Sequence, residues 1–153
     1  MSRALVLYAA ALAVAVSLAL APHAAAQPAG RQVVAPAGAT PSATLSPAIR
    51  VGNVLYLSGQ LGMSRESPDT TIQGQTTRAL ENLKRVVEAA GATMEHIAKC
   101  TVFLTNVAEF RGMNEAYVKF FPKAPPARST VVVAALVSPG AKVEIECIAA
   151  GLK

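Results

Sequence analysis

The sequence predicts an α+β domain in the order β-β-α-β-α-β-β, one mixed sheet with two helices packed on a single face. Three observations lead there. Residues from Thr70 to Ala90 and from Val107 to Phe121 repeat apolar side chains at helical spacing. Short runs rich in Val, Ile, Thr and Phe lie before, between and after them. The joints carry Gly, Pro, Asn and Ser, the residues that turns need. A sheet and amphipathic helices in this order bury their apolar faces against one another, and 153 residues suffice for one such domain. The second sheet face is left uncovered, an argument for self-association, although an antiparallel sheet can leave one face wet.

The N-terminus is read separately. Arg3 precedes a nearly continuous Ala, Leu and Val stretch from Ala4 to Ala21, followed by Pro22, His23 and Ala24-Ala25-Ala26-Gln27. A basic start, an apolar core and small residues at the break describe a signal peptide over residues 1–26, cut after Ala26. The expectation is a periplasmic or secreted protein with no stable membrane association once cut. The rival is an uncleaved anchor, since eighteen apolar residues can just span a bilayer. Residues 27–43, rich in Ala, Pro and Gly, read as a flexible or extended lead-in, and 44–153 as the folded domain.

Within that domain, Ala48 to Val51 and Val54 to Ser58 are strands joined at Gly52-Asn53, a tight-turn pair. In the first helix Ile72, Thr76, Ala79, Leu80, Leu83, Val86, Val87 and Ala90 share a face, and Gly91 ends it. Glu81 and Arg85 are placed for an i,i+4 ion pair on the outside. Ile97 to Leu104 is a strand. Asn106 caps a second helix carrying Val107, Phe110, Met113, Asn114, Tyr117, Phe120 and Phe121, stopped by Pro122. The last two runs, Thr130 to Val133 and Val143 to Ile148, flank Ser138-Pro139-Gly140 and read as an antiparallel hairpin. Such a hairpin brings Arg128 towards the carboxylates of Glu144 and Glu146. From the pattern alone, a structural ion pair or two solvated charges is the plainer account.

Composition excludes several classes. Cleavage would lower the formal net charge of +5 by one, and the basic residues are scattered without interleaved aromatics, so nucleic-acid binding has little support. His96 is the only histidine after residue 26 and no ligand cluster is evident, so neither metal nor other cofactor is expected. No Gly-x-Ser-x-Gly motif is present. An oxidising compartment would permit a disulfide between Cys100 and Cys147. Both fall in apolar strands, where a buried free thiol acts as a small hydrophobe, and that is the favoured expectation.

Pro126-Ala127-Arg128-Ser129 and Val143-Glu144-Ile145-Glu146 resemble the signature of the YjgF/RidA family, also called the endoribonuclease L-PSP family. Val51-Gly52-Asn53, Leu57-Ser58-Gly59-Gln60, Ala79-Leu80-Glu81-Asn82-Leu83, Thr101-Val102-Phe103-Leu104 and Phe110-Arg111-Gly112-Met113-Asn114 fall in matching places, so the likeness covers roughly residues 35–152. It implies a chorismate-mutase-like fold and a homotrimer whose sheets line a central barrel, with clefts between subunits. It also implies hydrolysis of reactive 2-imino or 2-enamino acids to 2-keto acids and ammonia. In that reading Arg128 grips the substrate carboxylate through its guanidinium fork. Glu144 acts on water and passes the proton to nitrogen. Ser58, Asn114 and Thr130 line the substrate site, and choosing Glu144 over Glu146 rests on the likeness. Two departures bear on substrate choice: Leu45 and Thr130 stand where the family often has Tyr and Cys.

The alternative is a trimeric module that binds small carboxylates without chemistry. Glu144 tells the two apart, because anion binding does not require a carboxylate and is slightly opposed by one. An RNA-cleaving or translation-inhibiting protein ranks last, supported only by the pI of about 9.6.

Overall fold

The computed structural model describes residues 30–40, 42–63 and 69–153. The expected signal peptide, 1–26, lies outside them. Strands β1 (Arg31–Val34), β2 (Ala48–Val51) and β3 (Val54–Leu61) precede helix α1 (Ile72–Ala89), strand β4 (Ile97–Leu104), helix α2 (Phe110–Tyr117), and strands β5 (Ala127–Val132) and β6 (Val143–Ala150). The six strands form one mixed sheet in the order β1-β2-β3-β6-β4-β5, with only β4 and β5 parallel. The α+β class with two helices is therefore as expected.

The long helix is built as its sequence reads. Thr71 caps it, its hydroxyl accepting from the Gly74 N–H at 3.1 Å. Ile72, Ala79, Leu80, Leu83, Val86 and Val87 are buried on one side. At the other end Gly91 takes φ 74°, and the N–H groups of Gly91 and Ala92 return to the Glu88 and Val87 carbonyls, a Schellman closure. On the outside Lys84 pairs with Glu88, while Arg85 donates to Asn82 rather than to Glu81. The helix comes close to the loop after β3: a Cβ on Gly62 would sit 1.8 Å from the Gln75 carbonyl oxygen. Buried Gln75 in turn donates to the Gly140 carbonyl and accepts from the Lys142 N–H, fixing the loop before β6.

Against the helices lie Leu55 and Leu57 of β3, Cys100, Val102 and Leu104 of β4, and Val143, Ile145, Cys147 and Ala149 of β6. Strict alternation sends Glu144, Glu146 and Ile148 to the other face, with Tyr56 opposite Ile148. Tyr56 is half exposed there, and no helix among the described residues covers this face.

Four expectations are corrected. The last two strands are not a hairpin. Strand β5 pairs only with β4, and β6 lies between β3 and β4. The ten residues from Val133 to Lys142 are long enough to carry the chain past β4, and the turn at Gly140 lies inside that connection. Burial explains the choice: one whole face of β6 is buried, as suits a central strand, while Val131 and Val132 of β5 are exposed, as suits an edge.

The lead-in is not all flexible, because Arg31–Val34 adds an edge strand to β2 and buries Val34. The second helix is shorter than its stripe, eight residues flanked by 3₁₀ turns at Val107–Glu109 and Val118–Phe120. Asn106 does cap the first of these turns, its side chain accepting from the Ala108 N–H. Finally, Cys100 and Cys147 are not free thiols. They sit directly opposite each other on β4 and β6, 4.1 Å apart at Cα, and form a buried disulfide.

Candidate functional site

Arg128 stands second in β5, an edge strand opened by Pro125 and Pro126, which cannot extend a helix. Its ladder partner is Cys100, whose side chain faces the helices, so the guanidinium emerges on that face too. There it lies over the ring of Tyr117, 4.7 Å from the centroid, and near that of Phe110 at 5.8 Å. These two rings stand seven residues apart on α2 and hence on one side of it. At such distances each contact contributes about 0.5–2 kcal/mol, depending on how dry it is.

No carboxylate among the described residues pairs with this cation. Among the described residues, ion pairs join Lys84 to Glu88, Arg111 to Glu115 and Lys142 to Glu109, and Arg128 belongs to none of them. It borders a groove of about 570 Å³ shared with Asn114, Tyr117, Val118, Phe121, Pro122, Pro125 and Pro126. One cation and one amide on an otherwise apolar lining suit a small organic anion with an apolar body. Tyr117 is only 4% exposed and its buried hydroxyl has no hydrogen-bond partner among the described residues. Burial pushes its phenol up to about 12, with the neighbouring Arg128 charge pulling the other way. The ring under the cation is therefore neutral across the physiological range.

Glu144 is elsewhere. It pairs with Phe103, three residues along β4 from Cys100, and one strand, β4, lies between its own strand and that of Arg128. Ladder spacings put the two backbones roughly 14 Å apart, and the side chains leave opposite faces of the sheet. The hairpin that was to join them does not exist. Glu144 lies instead on a bulge. Between Leu57 and Gln60 strand β3 holds one more residue than β6, and the Glu144 carboxylate rests on Gly59 there. A Cβ at Gly59 would lie 2.0 Å from the Glu144 Oε1.

The other predicted residues divide between these places. Asn114 lines the Arg128 groove. Thr130 is half-buried on the same face of β5 but does not border the groove. Ser58 is on the bulge beside Gly59, and its hydroxyl is spent on the Ser46 carbonyl at 2.6 Å. Glu146 shares the uncovered face with Glu144, in a depression lined also by Tyr56, Lys99 and Thr101. Leu45 is 58% exposed and borders a third hollow, with Gln60 and Arg85. One chain thus keeps a cation groove and a carboxylate beside a bulge in two separate places. Three contributors were given no role at the site from sequence. Tyr117 and Phe110 read as members of an apolar stripe, Phe110 also as the first residue of a family-like block, and the signal was their seven-residue spacing. Gly59 read only as part of the family-like block Leu57-Ser58-Gly59-Gln60.

Comparison with known proteins agrees with this architecture. The family model described as Endoribonuclease L-PSP matches residues 35–151. A 2-iminobutanoate/2-iminopropanoate deaminase of the mite Dermatophagoides farinae is 40% identical over 121 residues, 77% of this chain and 94% of that one. The chloroplastic Reactive Intermediate Deaminase A of Arabidopsis thaliana is 42% identical over 107 residues, 68% of this chain but only 57% of the longer plant protein. Among solved structures, the Rid-family protein YyfA of Yersinia pestis superposes with a TM-score of 0.72 at 36% identity, over 79% of this chain and 99% of its own. The TdcF protein of E. coli, crystallised with bound serine, gives 0.68 at 32% identity, over 78% and 98%. Matched across most of its length in sequence and in fold, this chain belongs to the endoribonuclease L-PSP family, the YjgF/RidA family.

Proposed function

We propose that the protein is an exported, homotrimeric deaminase that hydrolyses reactive 2-imino and 2-enamino acids to 2-keto acids and ammonia. The observation that carries this reading is Arg128, a cation held in a groove with no carboxylate of its own. A substrate carboxylate is the partner that its guanidinium fork fits, through two parallel hydrogen bonds. The named activity of the Dermatophagoides relative and the amino acid bound to TdcF support a substrate of this size and charge.

With the carboxylate anchored, the imine carbon beside it is fixed in place. Water oxygen adds to that carbon while the C=N π pair moves to nitrogen, giving a carbinolamine. Glu144 takes the proton from water and delivers it to nitrogen. Glu144 then takes the hydroxyl proton and passes it to nitrogen as the C–N bond breaks, so that the C–O bond becomes the keto group, ammonia leaves and Glu144 is again a carboxylate. Because one chain sets Arg128 and Glu144 on opposite faces, a single site using both draws them from two copies. A trimer with clefts between subunits meets that need, and its barrel would cover the Tyr56 and Ile148 face. Asn114 borders the Arg128 groove and would hydrogen-bond the substrate or the attacking water; Ser58 and Thr130 would contribute mainly their backbone groups. The buried Cys100–Cys147 disulfide supports export, together with the apolar N-terminus.

The separation of Arg128 from Glu144 also gives weight to a second reading, a carboxylate-binding module without chemistry. One assay decides between them. Keto-acid release from freshly generated 2-iminopropanoate and 2-iminobutanoate is followed with the chain starting at Gln27, beside Arg128→Ala and Glu144→Gln. The deaminase reading expects catalysis above the spontaneous rate. It also expects losses of about 10²-fold or more in kcat/KM for both variants. No acceleration by the assembled protein, with 2-ketobutanoate still bound through Arg128, would leave the binding module.

A further inference from the structure

An arginine that must stay ready for an incoming anion faces a conflict. Its long side chain needs anchoring, and the usual anchor, a carboxylate, would occupy the N–H edge and cancel the charge. Here the anchors are faces of rings. Tyr117 lies beneath the guanidinium at 4.7 Å and Phe110 flanks it at 5.8 Å, while no hydrogen bond or ion pair from the Arg128 side chain is present among the described residues. A ring face holds a guanidinium by its charge without offering the paired oxygens of a carboxylate, so the N–H groups stay available to an incoming anion. The Tyr117 ring is itself locked, buried in the core and packed at 4.9 Å on Phe121, which lines the same groove.

We infer that Tyr117 and Phe110 are positioning residues, an aromatic seat that holds Arg128 as an uncompensated cation and so sets how tightly the groove grips a carboxylate. The seat acts through the rings. The Tyr117 hydroxyl is buried, so removing it leaves the seat intact. Phe110 is 43% exposed, which makes it the half of the seat that can be altered with least risk to the fold. The inference rests on the proposed use of Arg128 as the carboxylate grip.

A grip present equally in the ground and transition states raises KM and leaves kcat alone when it is loosened. Loss of folded protein does the reverse. The test therefore measures both constants with 2-iminobutanoate, and the Kd of unreactive 2-ketobutanoate by calorimetry. It compares the assembled wild type, Phe110→Leu, Phe110→Trp, Tyr117→Phe and Tyr117→Leu. Phe110→Leu is expected to raise KM and Kd about three- to fivefold at unchanged kcat, and Phe110→Trp to restore or tighten them. Tyr117→Leu should weaken binding about tenfold, and Tyr117→Phe, which keeps the ring, should weaken it clearly less. If Tyr117→Leu fails to fold, the two Phe110 variants decide. Unchanged KM and Kd in Phe110→Leu, or a change confined to kcat, would overturn the seat while leaving the deaminase reading standing. A wild type that binds 2-ketobutanoate without turning imines over, and loses affinity in Phe110→Leu, would support the seat and remove the deaminase. A wild type that neither binds nor reacts would remove both.

Discussion

Single residues carry the chemistry proposed for this fold, and some do so by lacking a side chain. Gly59 and Gly62 lie three residues apart at the end of β3, yet the structure assigns them different duties. The absent Cβ of Gly59 leaves room for the Glu144 carboxylate, whereas that of Gly62 leaves room for the backbone of α1. Gly59→Ala should therefore displace a flexible carboxylate, lowering kcat/KM for imine hydrolysis at least tenfold with only a small change in melting temperature. Gly62→Ala meets a carbonyl that cannot swing aside, so it should cost about 1–3 kcal/mol in urea unfolding. Equal behaviour of the two variants in both assays would show that the bulge does not position Glu144.

At the scale of elements, the order of strands decides most. Inserting β6 between β3 and β4 puts Cys147 opposite Cys100 and closes a bond across 47 residues that include all of α2 and β5. For a loop of that length the chain-entropy account gives about 4 kcal/mol. Cys100→Ala combined with Cys147→Ala, or reduction under mild denaturant, should lower the unfolding free energy by an amount of that order. The Arg128 groove contains neither sulfur, so 2-ketobutanoate binding by the folded variant should persist. Loss of binding with stability intact would mean that the disulfide shapes the Cys100–Arg128 rung of the ladder directly.

For the molecule as a whole, the uncovered sheet face is the open side. Tyr56 and Ile148 sit across from each other there, beside Lys99 and Glu146. In the proposed trimer this face turns inward and the Arg128 groove of one copy meets the Glu144 bulge of another. Ile148→Glu, at a site 36% exposed in the single chain, should leave the fold intact by circular dichroism. It should also reduce the solution mass from trimer to monomer by ultracentrifugation and abolish turnover. Full activity in a monomeric variant would contradict a site shared between copies.

Several features were legible in the residues because they depend on neighbours in sequence. The stripe from Ile72 to Val87, its stop at Gly91 and the turn at Gly52-Asn53 follow from side-chain periodicity and backbone sterics acting over a few residues. So does the alternation of β6, which placed Glu144 opposite Val143 and Ile145 before any sheet was known. The motif around Arg128 and Glu144 likewise announced the family. What depends on partners distant in sequence was not legible. A β-branched run states that it is a strand but not which strand it joins, and the turn at Ser138-Pro139-Gly140 fits a hairpin as well as it fits a longer connection. Only the tertiary structure placed β5 on the edge beside β4 and β6 in the centre. Burial of β6 by two neighbours outweighed the shorter route to β5. That one choice paired the cysteines, seated Arg128 on α2, and sent Glu144 to the far side of the sheet.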